Sequence, residues 1–138
     1  ASRGNPGESG IGIILRDAKG NMLFSGSGYL GKVTNNEAEY NALLLCLKKI
    51  KSVLMGRDRA KSTFEKVIVY SDSELLVNQM RGLYRVKDEQ LRRMFRRAAR
   101  LIQSLPVRVE IRHVTREQNL DADMLANYGI ETRIKLRV

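Results

Sequence analysis

The sequence predicts an α/β fold, and three observations carry that prediction. Residues 67–70, Val-Ile-Val-Tyr, form a short apolar run that leads directly to the acid Asp72. A buried strand with a carboxylate at its carboxyl end is the usual setting of a ligand site in an open α/β sheet. Two strand-like stretches, 10–16 and 22–30, flank a turn and read as a hairpin. Longer stretches opening at Thr34 and at Asp88 place apolar residues at helical spacing. On the strand alone a second reading of Asp72 and Ser73 stands beside the first, in which they only cap the next helix.

The elements follow in order. Residues 1–9 read as a polar Gly/Pro loop. Ile11, Ile13 and Leu15 then alternate along a first strand, 10–16. Asp17-Ala18-Lys19-Gly20-Asn21 has turn chemistry, with Gly20 free to take positive φ, and 22–30 returns as the second strand. Thr34 opens a long helix, in capping-box spacing with Glu37. Ala38, Ala42, Leu45, Cys46 and Val53 keep helical spacing there, and Leu43, Leu47, Ile50 and Leu54 widen the apolar face. Residues 56–62 are a charged connection to the apolar strand 67–70, and a short helix over 73–80 stops near Gly82.

Residues 88–104 predict a strongly basic helix. Arg92, Arg93, Arg96, Arg97 and Arg100 lie on or near one face, opposite Met94, Ala98 and Leu101, which Phe95 and Ile102 join. The arginines fit either a solvated face or a phosphate contact. Pro106 ends the segment, and Val107, Val109 and Ile111 alternate as a strand. Residues 119–127 read as a last short helix that Gly129 can end. In the tail, Ile134, Leu136 and Val138 alternate with Arg133, Lys135 and Arg137, the pattern of one more strand. The predicted order is β-β-α-β-α-α-β-α-β in a single domain, residues 1–138, without repeats or linkers.

Composition narrows the function. The 138 residues are enough for one real core, and no apolar run approaches a membrane span. No signal peptide is visible, and one cysteine, Cys46, cannot form an internal disulfide, so a cytoplasmic setting and a core thiol are expected. One histidine excludes a two-histidine metal site. The net charge of +10 favours a polyanionic partner, nucleic acid before an acidic membrane surface. Three acids fall at comparable places: Glu39 in the first turns of the long helix, Asp72 after the middle strand, and Asp123 near the start of the last helix. Such carboxylates favour hard ions, Mg²⁺ or Mn²⁺. A pair of these ions about 4 Å apart activates water and stabilises the leaving oxygen in phosphodiester cleavage. A basic chain with an acid cluster of this kind points to a nuclease.

Several motifs, in order and spacing, resemble type 1 ribonuclease H. They are Ala1-Ser2-Arg3-Gly4-Asn5-Pro6-Gly7, Thr34-Asn35-Asn36-Glu37-Ala38-Glu39-Tyr40, Tyr70-Ser71-Asp72-Ser73, Asn78-Gln79-Met80, Tyr84-Arg85-Val86-Lys87, and Arg116-Glu117-Gln118-Asn119 leading to Ala122-Asp123-Met124-Leu125-Ala126-Asn127. The likeness runs over residues 1–127. It implies a ribonuclease-H-like five-stranded mixed sheet flanked by helices. It also implies endonucleolytic cleavage of the RNA strand of RNA–DNA hybrids with two Mg²⁺ ions, which Mn²⁺ can replace. By motif position Glu39, Asp72 and Asp123 match three of the family's four metal-binding carboxylates, and Glu37 is a cap or surface acid. Asn5, Asn35 and Asn36 match contacts to the minor groove and RNA strand. An amide suits that task because it both donates to and accepts from a 2′-hydroxyl. For Asn35 and Asn36 helix capping is the competing role. Lys32 and Thr34 match a DNA-phosphate site, and Asn78 and Gln79 match further contacts. The family's histidine before the last helix, which assists proton transfer or product release, falls near His113, although His113 also fits the end of the preceding strand. Arg116 is the competing phosphate or product contact.

The fourth carboxylate of the family pattern sits in an Asp-Gly pair ahead of the segment matched by Ala1. It ends the first, central strand, which the sequence as given does not contain. Three arrangements fit: a circularly permuted chain whose residues 131–138 fill the first-strand position, a truncation, or a swapped dimer. The basic residues of that tail also fit an edge strand kept soluble by charge. A monomer acting on RNA–DNA hybrid, with no membrane partner, is the expected state. The rival readings are a catalytically deficient hybrid-binding domain and a ribonuclease H domain of a larger polymerase or transposon protein.

Overall fold

The computed structural model describes residues 2–4, 7–16, 22–55, 66–115 and 117, with only the backbone described through residue 28. The helix expected over 119–127 and the strand expected in the tail lie outside the described residues.

The chain begins with β1 (Ser2–Gly4), β2 (Gly7–Arg16) and β3 (Met22–Val33), an antiparallel sheet in the order β1-β2-β3. Part of this corrects the sequence reading, which placed residues 1–9 in a loop. Ser2, Arg3 and Gly4 pair with Ser9, Glu8 and Gly7. Ladder bonds use only main-chain groups, so a Gly/Ser-rich segment of low strand propensity still pairs when a partner strand lies beside it. The β2–β3 hairpin turns where alternation suggested and is longer at its open end, where β2 starts at Gly7 and β3 ends at Val33. Its register shifts between Ser9 and Gly10 and again between Leu15 and Arg16, where irregular pairing breaks the alternation that sequence reading depends on.

Helix α1 (Asn35–Leu54) starts as the sequence predicts. The Thr34 hydroxyl accepts from the Glu37 backbone N–H at 3.1 Å, and Glu37 Oε1 accepts in return from the Thr34 backbone N–H at 3.4 Å. Satisfying these otherwise orphaned first-turn donors is worth about 1 kcal/mol. The helix then buries Tyr40, Leu43, Leu44, Leu47, Ile50 and Leu54. Cys46 packs against this core, and burial pushes its thiol up to about 12, the unreactive core role expected of it.

Strand β4 (Lys66–Ser71) pairs in parallel with β5 (Arg108–His113), and the crossover between them carries α2 (Glu74–Met80) and α3 (Glu89–Ser104). Parallel neighbours require such a crossover. Val69 and Ile111 point into the core with Leu76, Val77, Met94 and Ala98, and α3 lies against α1. Among the described residues the strands form two ladders, three-stranded and two-stranded, and none joins β1 to β4. The single five-stranded sheet is therefore not seen in this part of the chain, and residues 131–138, the candidate for the position between the ladders, are not among those described. No helix of the described residues is long and apolar enough to cross a membrane.

The outward face of the parallel pair is charged. Glu110 Oε2 lies 2.6 Å from Lys66 Nζ and 2.9 Å from Arg112 Nη2. Hydrogen bonds from Lys66, and secondly from Arg112, lower the Glu110 carboxyl from 4.5 to about 2. A carboxylate lowered by folding adds stability above its unfolded pKa of 4.5, and that contribution is lost as pH falls through about 2. Glu110→Gln should therefore flatten the acid limb of stability between those values in paired denaturant titrations. Parallel acid limbs for the two proteins would contradict this account of the cluster.

Candidate active site

Asp72 follows the last residue of β4 directly and is half-buried. Ser73, not Asp72, is the N-cap of α2: its hydroxyl accepts from the Leu76 N–H at 3.2 Å, and its own N–H donates to Ser71 Oγ at 3.1 Å. The capping alternative thus belongs to Ser73, and the turn sets Asp72 at the carboxyl end of the strand. His113 is the last residue of β5, exposed and in register with Ser71. The Val114 N–H donates to the Ser71 carbonyl at 3.0 Å, which holds this end of the pair together. Of the two places open to His113, it occupies the strand end. Asp72 and His113 accordingly share the carboxyl end of the parallel pair, where α/β sheets build sites.

Glu39 is half-buried in the second turn of α1. Asn35 and Asn36 precede it by four and three residues, so the three share one helix face. Neither asparagine caps the helix, since Thr34 does. Asn35 and Lys32 are exposed and Asn36 is half-buried. Thr34 is engaged in its capping box, which competes with the phosphate contact expected of its hydroxyl.

Gln79 departs from expectation. It was expected to touch nucleic acid, yet it is only 5% exposed, and its Oε1 accepts from the Tyr40 hydroxyl at 2.6 Å. Its side chain is an interior strut between α1 and α2. The reason is helical: Gln79 shares the inward face of α2 with Leu76, three residues earlier. Burial pushes the Tyr40 hydroxyl up to about 12, so it remains a donor to Gln79 at any physiological pH. Tyr40 was not singled out from the sequence, and the available signal was its inward position one residue after Glu39. Asn78 is half-buried, and its carbonyl accepts from the Leu83 and Tyr84 N–H groups at 2.8 and 3.2 Å, turning the chain after α2. Asn5, Arg116 and Asp123 lie outside the described residues.

Among the described residues no group of three or more His, Cys, Asp or Glu side chains is poised to hold a metal ion. Two carboxylates of the expected set are described, Glu39 and Asp72. Both are half-buried, and the Tyr40–Gln79 bond ties the helix of one to the helix that follows the other. Carboxylate oxygens without thiolate or paired imidazole fit a hard divalent cation, with Asp123 the further expected donor.

A reverse transcriptase-like family model matches residues 1–129. LC11-RNase H1, solved in complex with an RNA/DNA hybrid, superposes with a TM-score of 0.85 at 39% identity, over 96% of this chain and 92% of that one. Ribonuclease HI of Halobacterium salinarum is 34% identical over 131 residues, 95% of this chain and 61% of the relative. The bifunctional protein Rv2228c of Mycobacterium tuberculosis is 34% identical over 94% of this chain and 33% of its own length. The chain thus spans about 61% and 33% of these two curated relatives. The fold and these likenesses define a reverse transcriptase-like α/β protein that belongs to the type 1 ribonuclease H family.

The strut makes a checkable claim. Tyr40→Phe leaves the Gln79 oxygen buried without a donor and should cost about 1–3 kcal/mol in urea unfolding. Adding Gln79→Met removes the stranded group and should recover most of that loss. A double variant that loses the full sum of the two single effects would show that the two side chains do not act as a pair.

Proposed function

We propose that this chain hydrolyses the RNA strand of RNA–DNA hybrids. The observation that carries the reading is Asp72, half-buried at the carboxyl end of β4 beside His113, while Ser73 performs the capping. The likeness to a ribonuclease H1 solved with an RNA/DNA hybrid supports it. In this reading Glu39, Asp72 and Asp123 would hold divalent cations, Mg²⁺ with Mn²⁺ as a substitute. When bound, such ions supply Lewis acidity to the attacking water and the departing 3′ oxygen.

The remaining roles belong to the chain's own side chains. Asn35 and Asn36 present amides beside Glu39, where they read 2′-hydroxyls of the RNA strand in the minor groove. Asn5 and Asn78 extend that contact, and Lys32 neutralises a phosphate of the DNA strand. His113, exposed at the strand end, moves a proton at the departing 3′ oxygen or escorts the product, with Arg116 on a product phosphate. Water adds to phosphorus, the bond from phosphorus to the 3′ oxygen breaks, and the proton lost by water balances the one gained by that oxygen. The protein acts from the cytoplasm as a monomer.

The test is cleavage of a strand-labelled hybrid with Mg²⁺ and then Mn²⁺, by residues 1–138 and by a version carrying Asp-Gly ahead of Ala1. RNA is expected to be cut, DNA spared, and duplex DNA left intact. EDTA, and Asp72→Asn in either version, are expected to bring cleavage to background. Hybrid binding without cleavage in both versions would favour a catalytically deficient binding domain instead.

A further inference from the structure

Residues 81–104 hold eight cations and two acids, in a chain whose total net charge is +10. Five of those cations are on α3. At 3.6 residues per turn, Arg92, Arg96, Arg100, Arg93 and Arg97 fall within an arc of about 140° and a length of about 12 Å. All five are exposed, while Leu91, Met94 and Ala98 are buried on the opposite side.

Both acids are already committed or weakly paired. Asp88 is the N-cap, with its Oδ2 accepting from the Leu91 N–H at 2.9 Å. Glu89 lies 3.6 Å from Arg93, with the two side chains 83% and 71% exposed, a geometry in which an ion pair contributes little. The Arg92 Nε–H donates to the Val86 carbonyl at 3.2 Å and ties the preceding loop to the first turn of α3. Arg85 and Lys87, flanking Val86 and exposed, therefore continue the basic surface. Solubility is served by mixed signs, whereas like charges crowded on one face repel one another and oppose folding. A ridge of this kind is stabilised by a partner that supplies negative charge at regular intervals. A length of about 12 Å matches three to four phosphates of one strand at an axial rise of about 3.4 Å.

We propose that the outer face of α3, with Arg85 and Lys87, is a second nucleic-acid contact, separate from the carboxylate site. It follows the phosphate backbone of a duplex arm and reads neither base nor sugar. The identity of that duplex as an RNA–DNA hybrid rests on the function proposed above; the ridge itself rests on charge and placement.

The test measures binding of hybrid and of duplex DNA of equal length, by fluorescence anisotropy in EDTA, across a salt series. Arg96→Gln/Arg100→Gln removes two cations that lie on the solvent side of the helix. The slope of log affinity against log salt should fall in magnitude by about 1.8 for both duplexes, at about 0.9 per lost phosphate contact. Arg96→Lys/Arg100→Lys should keep the wild-type slope. Lys48→Gln/Lys51→Gln on α1, the same loss of net charge elsewhere, should keep it too. An unchanged slope in the glutamine variant overturns the ridge, and so does an equal fall in the α1 control. Loss of binding to phosphatidylserine vesicles with nucleic-acid binding intact also overturns it, in favour of a membrane surface. Hybrid cleavage is scored separately, so a chain that binds duplex through α3 yet never cuts RNA overturns the hydrolase reading and not the ridge.

Discussion

The buried hydrogen bond from Tyr40 to Gln79 spans 39 positions of sequence and fixes how α1 sits on α2. Burial of the leucine face of α1 supplies the free energy of that packing, but apolar contact is non-directional and leaves the rotation of a helix loosely set. A short polar bond inside the core sets it, because a wrong rotation would strand two buried polar groups. That constraint reaches the surface within one residue on each side: Glu39 precedes Tyr40, and Asn78 precedes Gln79. The placement of Glu39, Asn35 and Asn36 relative to the turn that carries Asp72 therefore depends on a residue pair that touches no substrate.

The parallel pair provides the second fixed point. Val69 and Ile111 anchor β4 and β5 in the core, the ladder runs to Ser71 opposite His113, and the Val114 N–H closes it one residue further. A strand end held this firmly can present Asp72 without using the carboxylate itself as a cap, because Ser73 takes that role. Cation binding by carboxylates needs such rigidity, since ligands that must be ordered on binding lose affinity to entropy. The basic face of α3 is the one turned away from its buried Leu91, Met94 and Ala98. If the proposed function holds, holding the backbone of a long duplex at one place while reading its minor groove at another would raise the effective concentration of the second contact.

Much of this was legible in the sequence because the signals were local. The capping box at Thr34 and Glu37, the amphipathic faces of α1 and α3, the strand before Asp72 and the core position of Cys46 each follow from spacing within a few residues. The family resemblance, carried by several short motifs in order, singles out Glu39 and Asp72 as candidate carboxylates from sequence alone. What escaped depended on distant partners. The β1–β2 ladder forms among Gly and Ser residues whose propensities argue against a strand. Gln79 looks like a surface amide until Tyr40, far away in sequence, is seen to bury it. The His113 alternatives could be separated only by the register of β5 against β4, which no single segment encodes.

The central claim is that Glu39 and Asp72 serve one divalent-cation site. Titration of the isotopically labelled chain with Mn²⁺ tests it directly, because the ion broadens the amide resonances nearest to it. The account predicts early, selective broadening at Asp72, Ser73 and Glu39, its loss in Asp72→Asn, and sharp resonances along α3. Broadening that starts at Glu110 or Glu89 and spares Asp72 and Glu39, or that persists unchanged in Asp72→Asn, would contradict it.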